Sequence, residues 1–206
     1  MRLIVYISII LFWTSCASFF MSRGYVWDVG TDKKMAILPF EVLMANKEFP
    51  EGDEVKSLEK YEEIQSYHMQ RDMYRYFLRE MFSNGFDTSF VQDVNDSNDR
   101  LMEAGIYYQN LGQVSYDSLA SILEVDALVA GRVVELPRSG FFTGFLGRKS
   151  DPEIRMHGMF YLLDGDDGSL LWRFEEKTNG GGENTTYTLS KDIMRKVASN
   201  FPFRDR

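Results

Sequence analysis

The chain has 206 residues, 44% of them hydrophobic and 15% aromatic, with a formal net charge of −8. That is enough apolar chain for one globular domain with a real core. The acidic balance argues against a nucleic-acid-binding protein, which needs a basic face, and a single cysteine, Cys16, leaves no intrachain disulfide and no thiolate metal site.

The amino terminus carries the strongest signal. Arg2 is a short basic start, and Leu3 to Trp13 is an apolar run broken only by Ser8. A bilayer-spanning helix needs ~20 apolar residues, so this run reads as the core of a secretory signal. Thr14 and Ser15 are small enough for a signal-peptidase cleft, and Cys16 follows directly. This ending resembles the bacterial lipobox, with Trp13 where leucine is usual three positions before the cysteine. It implies that residues 1–15 are removed and that Cys16 takes a thioether-linked diacylglycerol and an N-acyl chain. Removal takes away Arg2 and no acid, which makes the mature charge −9. General attraction to anionic lipid is thereby disfavoured, and the acyl chains do the anchoring. Ala17 follows the cysteine, so the aspartate that commonly retains lipoproteins in the inner membrane is absent; outer-membrane residence is expected. An ordinary secreted chain with an incidental cysteine, or an uncleaved anchor, stands as the rival reading.

Residues 16–33 read as a lipidated tether. Met35-Ala36-Ile37-Leu38-Pro39-Phe40 is a short buried strand stopped by proline. Residues 45–57 are a loop with Pro50 and Gly52. Tyr61, Ile64, Tyr67, His68, Met73, Tyr74, Phe77, Leu78, Met81 and Phe82 recur at helical spacing, and Asn84-Gly85 is the stop. Phe86 to Val91 is expected as a strand and Asp96 to Ala104 as a short helix. Ser115 caps a helix carrying Leu119, Ile122 and Leu123. Residues 127–136, 154–163 and 170–177 are strands, the last two joined by the turn Asp164-Gly165-Asp166-Asp167-Gly168. Leu189 to Phe201 is the final helix. The expected fold class is α/β (α+β): a single mixed β-sheet with an antiparallel C-terminal meander and helices packed on it. Residues 34–206 form one domain.

Three segments together resemble a known group: the 35–40 strand, the run Asp117 to Gly131 containing Glu124-Val125-Asp126-Ala127, and Leu163 to Trp172. The group comprises bacterial envelope lipoproteins similar to the curli-secretion channel subunit and to the lipoprotein activators of penicillin-binding proteins. Their shared domain looks like the amino-terminal domain of TolB. The resemblance implies action by docking and carries no catalytic residue over. The residues themselves read as structural. Glu124–Asp126 is a polar corner between a helix and a buried strand, Gly131 marks a close approach of another backbone, and Trp172 is a large buried side chain.

Chemical motifs do not assemble. The 164–168 run has the wrong residues at the fifth and sixth positions of a calcium loop and lies between strands. Gly147-Arg148-Lys149-Ser150 lacks the earlier glycine of a phosphate loop. His68 and His157, the only histidines, have no zinc spacing; His157 is expected to face solvent or a neighbour on its strand. No catalytic, cofactor or metal residue is assigned. The segment with functional promise is residues 137–152, where Phe141, Phe142, Phe145 and Leu146 are broken by glycines and flanked by Arg138, Arg148 and Lys149. Exposed apolar loops mark partner or membrane contacts; packing of the same side chains on the sheet is the alternative. This single insertion is too short for two membrane-crossing strands of ~9–11 residues each, so a pore of the curli type is not expected. The sequence therefore points to a non-enzymatic, lipid-anchored envelope protein with its domain in the periplasm, which binds an envelope protein partner. A subunit of an oligomeric export assembly, with homo-oligomer formation, and an envelope enzyme without a recognisable motif are the alternatives.

Overall fold

The computed structural model describes residues 18–21, 27–28, 32–44, 57–136, 154–180 and 185–204. Cys16 and the aromatic segment 137–152 lie outside the described residues. The first two elements are β1 (Ser18–Met21) and β2 (Trp27–Asp28). Next come β3 (Met35–Ile37), β4 (Glu41–Leu43) and α1 (Leu58–Ser83). The helices α2 (Val94–Glu103), α3 (Tyr108–Leu111) and α4 (Tyr116–Leu123) precede β5 (Ala127–Leu136). The chain closes with β6 (Ile154–Asp164), β7 (Leu170–Gly180), α5 (Thr186–Ser199) and β8 (Phe203–Arg204).

The fold class is the expected one. A six-stranded mixed sheet runs β1-β7-β6-β5-β3, with β4 also on β5. The meander is present: β5 pairs antiparallel with β6, and β6 with β7. The 164–168 run is the hairpin turn between them. Asp164 Oδ1 accepts the Asp166 N–H at 2.9 Å, and Gly168, at φ 70°, donates its N–H to the Asp164 carbonyl.

Pro39 does not end pairing along the first edge; it interrupts it. Met35–Ile37 pairs parallel with Ala127–Val129, and Glu41–Leu43 with Arg132–Val134. The chain advances four residues from Ile37 to Glu41 while β5 advances three, so the chain bulges out of the ladder at Pro39–Phe40, after the Leu38 N–H has met the Val129 carbonyl. Proline has no N–H to give a ladder and suits such a place. The Ile37 carbonyl is satisfied instead by the buried Gln70 amide of α1, at 2.7 Å.

Several boundaries differ from the sequence reading. Residues 18–21 are not tether: they pair antiparallel with β7, Ser18 opposite Glu175 and Met21 opposite Trp172. Trp27–Asp28 pairs parallel with Phe203–Arg204. The strand expected at 86–91 reduces to one bridge, Met35 to Val91, because the Met35 N–H and C=O meet Phe90 and Gln92 and the chain then enters a helix. That helix, α2, starts at Val94 because the Asp93 carboxylate caps it, accepting the Asn95 N–H. Helix α5 starts at Thr186, where Thr185 and Thr188 form a reciprocal capping box. In α1 the buried line is Met69, Met73, Phe77 and Met81, spaced by four; His68 and Phe82 face solvent, Phe82 being 82% exposed.

Each face of the sheet has its own core. On one, Val129, Val133, Phe160, Leu162, Trp172 and Phe174 pack beneath α1 and α5. Phe201 joins this layer, its ring 4.6 Å from Phe77 and 5.1 Å from Trp172 between centroids. On the other, Leu128, Ala130 and Leu163 meet Leu101, Leu119 and Leu123 of α2 and α4. This second core covers only part of its face. Past Ala130, β5 continues with exposed Arg132, and the sheet lies open beside β4.

Candidate functional site

A cleft of about 830 Å³ occupies this uncovered region. Its floor is apolar, made by Leu38, Pro39, Leu119, Ala130 and Leu163. Three tyrosines stand around it: Tyr108 from α3, Tyr116 from α4 and Tyr161 from β6. Glu41 of β4 and Glu59 and Glu62 of α1 supply carboxylates, against the single guanidinium of Arg132.

Each polar group has a structural reason for its place. Strand β4 is an edge, with β5 on one side only, and an edge presents unpaired backbone groups. Here side chains take that role. The Tyr108 hydroxyl accepts the Val42 N–H and donates to the Val42 carbonyl, both at 3.2 Å. Glu62 Oε1 accepts the Met44 N–H at 2.8 Å. Arg132 Nε donates to Glu41 Oε2 at 2.6 Å, across the parallel pair that places those residues opposite each other. Glu59 sits in the first turn of α1, where an acid complements the helix dipole.

The field in the cleft is negative. Burial pushes the Tyr108 phenol above its ordinary value; the Val42 backbone bond lowers it, and Glu62, Glu41 and Glu63 raise it further. Burial, then Tyr161 and Glu41, raise the Tyr116 phenol against the opposing charge of Arg132. Both phenols therefore stay neutral hydrogen-bonding groups at physiological pH. The arrangement can receive an apolar body carrying a cationic group: aromatic faces and carboxylates together favour an ammonium or guanidinium. Among the described residues no group of three or more His, Cys, Asp or Glu side chains is placed to hold a metal ion.

The residues singled out from sequence fall elsewhere. Cys16, Phe141, Phe142, Phe145 and Leu146 lie outside the described residues. His157 is half-buried on β6 and meets β7: its Nε2 is 2.7 Å from Glu175 Oε1. Arg173 and Lys177 bracket the same carboxylate at 3.0 and 3.6 Å. Burial pushes the Glu175 carboxyl up, but the His157 hydrogen bond and the charges of His157, Lys177 and Arg173 hold it below its ordinary value. Asp126 is the polar corner anticipated. Its carboxylate accepts the Lys34 N–H at 2.7 Å, its N–H reaches the Lys34 carbonyl, and its own carbonyl accepts the Gly165 N–H. The close approach at Gly131 is also present, made by the Phe160 ring and the Met159 carbonyl oxygen.

The cleft itself escaped sequence reasoning. Its one local signal was Arg132, an exposed charge that follows the apolar run Ala127–Gly131. Tyr108 and Tyr116 sit on two helices separated by Gly112, and nothing short-range ties them to Glu41.

No protein-family model and no curated protein matches the sequence. Solved structures do share its fold. The chain is similar to PelC from Paraburkholderia phytofirmans, described as a dodecamer. That likeness has 13% identity and a TM-score of 0.50, and covers 91% of this chain and 99% of that one. A point variant of that PelC dodecamer gives 12% identity and a TM-score of 0.51 over the same shares. Lipoprotein GNA1162 from Neisseria meningitidis is similar at 14% identity and a TM-score of 0.50, over 80% of this chain and 94% of its own. At these identities the likeness is one of fold: this chain has the mixed-sheet architecture also seen in a dodecameric protein and in a lipoprotein.

Proposed function

We propose that the protein is a lipid-anchored accessory protein of the bacterial cell envelope, which acts by binding a protein partner and not by catalysis. Cys16 carries the acyl chains, the outer membrane is its site, and the domain lies in the periplasm. The observation that carries the reading is the cleft at the β4 edge, which combines an apolar floor, three tyrosines and an excess of carboxylates. A partner segment with a basic side chain on an apolar stretch fits it in charge and shape. The fold shared with a lipoprotein supports the anchoring half of the reading.

Two experiments test it. Cys16→Ser should abolish fatty-acid labelling and move the mature protein out of the membrane fraction; absence of label on the wild-type protein would refute the anchor. For the cleft, a photo-crosslinker at Gln109 should give a partner adduct in membranes that Glu59→Lys abolishes, with the melting temperature lowered by only about 1–4 °C through the lost helix-dipole contact. Equal adducts with and without Glu59 would remove the cleft from the binding surface.

A second reading is that the protein is a subunit of an oligomeric export assembly, which the dodecameric state of the PelC neighbour favours. The mass of the detergent-solubilised protein decides it. Under either reading Phe141, Phe142, Phe145 and Leu146 are proposed as a further partner or membrane contact. Both flanking strand ends, Leu136 and Ile154, lie at the end of the sheet toward which β1 begins. Replacing the four by serine should lower membrane association or partner capture while the melting temperature holds; a large fall in melting temperature would place them in the core.

A further inference from the structure

We infer that the membrane surface lies directly against the β1 edge of the sheet, so that the anchor mounts the domain without slack and holds the cleft on the opposite edge. This rests on the proposed lipidation of Cys16 and adds an orientation to it. Strand β1 begins at Ser18, only two residues after Cys16. Two residues of chain span at most ~7 Å, whatever path they take. Ser18 is fixed in turn by the four-residue register of β1 on β7. A free tether of the 18 residues 16–33 would instead average roughly 23 Å between its ends. The anchor is thus confined to one edge of a rigid sheet.

The local chemistry agrees. The protein as a whole is acidic, which repels anionic lipid, yet the strand beside β1 presents cations. Arg173 stands opposite Phe20, and Lys177 lies just past Ser18 on β7. These side chains are 40% and 66% exposed and share one carboxylate, Glu175. Carried on the sheet face one strand in from the anchored edge, these two cations for one anion suit the phosphates of a bilayer surface. The cleft's β4 lies four strand spacings from β1, about 19 Å away across the sheet. The mount therefore turns the cleft toward the periplasm at a fixed height.

The test uses the full-length lipidated protein in phosphatidylethanolamine–phosphatidylglycerol vesicles containing a headgroup-nitroxide lipid. Fluorophores are attached through Asn179→Cys, on exposed β7 beyond the start of β1, or Met102→Cys, on α2 at the far edge, where Met102 is 53% exposed. Quenching at 179 should exceed that at 102 several-fold. Inserting 20 Gly/Ser residues between Ala17 and Ser18, with an r.m.s. reach of ~25 Å, should bring 179 down to the level of 102 with the melting temperature unchanged. Equal quenching at the two positions without the insertion, or no effect of the insertion, overturns the mount. Fatty-acid labelling of Cys16 separates the two levels. Label present with equal quenching sinks the orientation alone, and label absent sinks the anchor with it.

Discussion

Gly131→Ala adds one methyl group at a place with no room for it. Gly131 of β5 lies directly opposite Phe160 of β6. A Cβ at 131 would stand 2.7 Å from Phe160 Cδ1 and 2.9 Å from the Met159 carbonyl oxygen. Carbon pairs settle at about 3.5–4.0 Å, so the ring would have to retreat by about 1 Å. It has nowhere to go. Phe160 is fully buried and meets the Phe40 ring edge-on at 5.4 Å. On the β6 side, a Cβ at Gly158 would already be 2.6 Å from Phe160 Cε2. The Met159 oxygen belongs to the β5–β6 ladder and moves only with the strand. Overpacking of this kind costs about 1–3 kcal/mol, offset by roughly 0.5–1 kcal/mol for replacing glycine inside a strand. A net loss of about 1–2 kcal/mol is expected, read as a lower urea midpoint with an unchanged m-value. Phe160→Leu removes the ring edge, so the double variant should lose less than the two single losses added together. A neutral Gly131→Ala, or strict additivity with Phe160→Leu, would refute the account of Gly131 as space reserved for the ring.

Three further outcomes follow from the polar groups. Gln70→Leu strips the buried Ile37 carbonyl of its donor and Asn98 of its partner; a loss of about 1–3 kcal/mol is expected, or roughly 2–12 °C in melting temperature. Tyr108→Phe leaves the Val42 N–H and C=O to water, so the Val42 amide should exchange faster while stability falls by only about 0.5–1.5 kcal/mol. Glu175 has a depressed folded-state pKa, so the unfolded chain binds its proton more readily. Its contribution is complete above the ordinary glutamate value of 4.5 and disappears as pH falls through the depressed value. Glu175→Gln should flatten that acid limb of the stability profile, and an unchanged limb would show that the cluster of His157, Arg173 and Lys177 is not coupled to folding.

What the sequence disclosed follows the range of the forces involved. Strands 127–136, 154–163 and 170–177 were readable because apolar runs and a turn with Gly168 act over a few residues. Ser115 and Asn84-Gly85 marked helix ends for the same reason. The strand at 86–91 was over-read because a short apolar run does not say whether a partner lies alongside; here Met35 offers a single bridge. Residues 18–21 were under-read because their partner, β7, is some 150 residues away and the intervening composition gives no hint of it. The cleft was invisible for the same cause. Its character depends on Glu41, Tyr108 and Arg132 meeting across three elements, and no spacing rule links them. Phe82 and His68 show the reverse error: they fit the helical period of α1, yet the core uses the line from Met69 to Met81 and leaves them in water.

The two edges of the sheet are handled by different means, and the difference bears on how the protein is held. Along the β3–β4 edge the outward backbone groups are occupied one after another. Phe90 and Gln92 take Met35, Gln70 takes Ile37, Tyr108 takes Val42, and Glu62 takes Met44. Such capping disfavours addition of a foreign strand there, so the proposed partner in the cleft would be engaged by side chains and not by strand addition. At the other edge β1 ends the strand order, and no described strand pairs with its outer side. An open edge invites pairing between chains. A strand of four residues limits that hazard, and the proposed anchor at Cys16 would limit it further by keeping the edge at the lipid surface. In the proposed mount, the protected edge would carry the cleft and the unprotected edge would be the one turned to the membrane. Freeing β1 with the long Gly/Ser insertion should then do more than change the orientation: it should raise concentration-dependent self-association of the lipidated protein. Unchanged association would show that the length of β1 alone suffices to protect it.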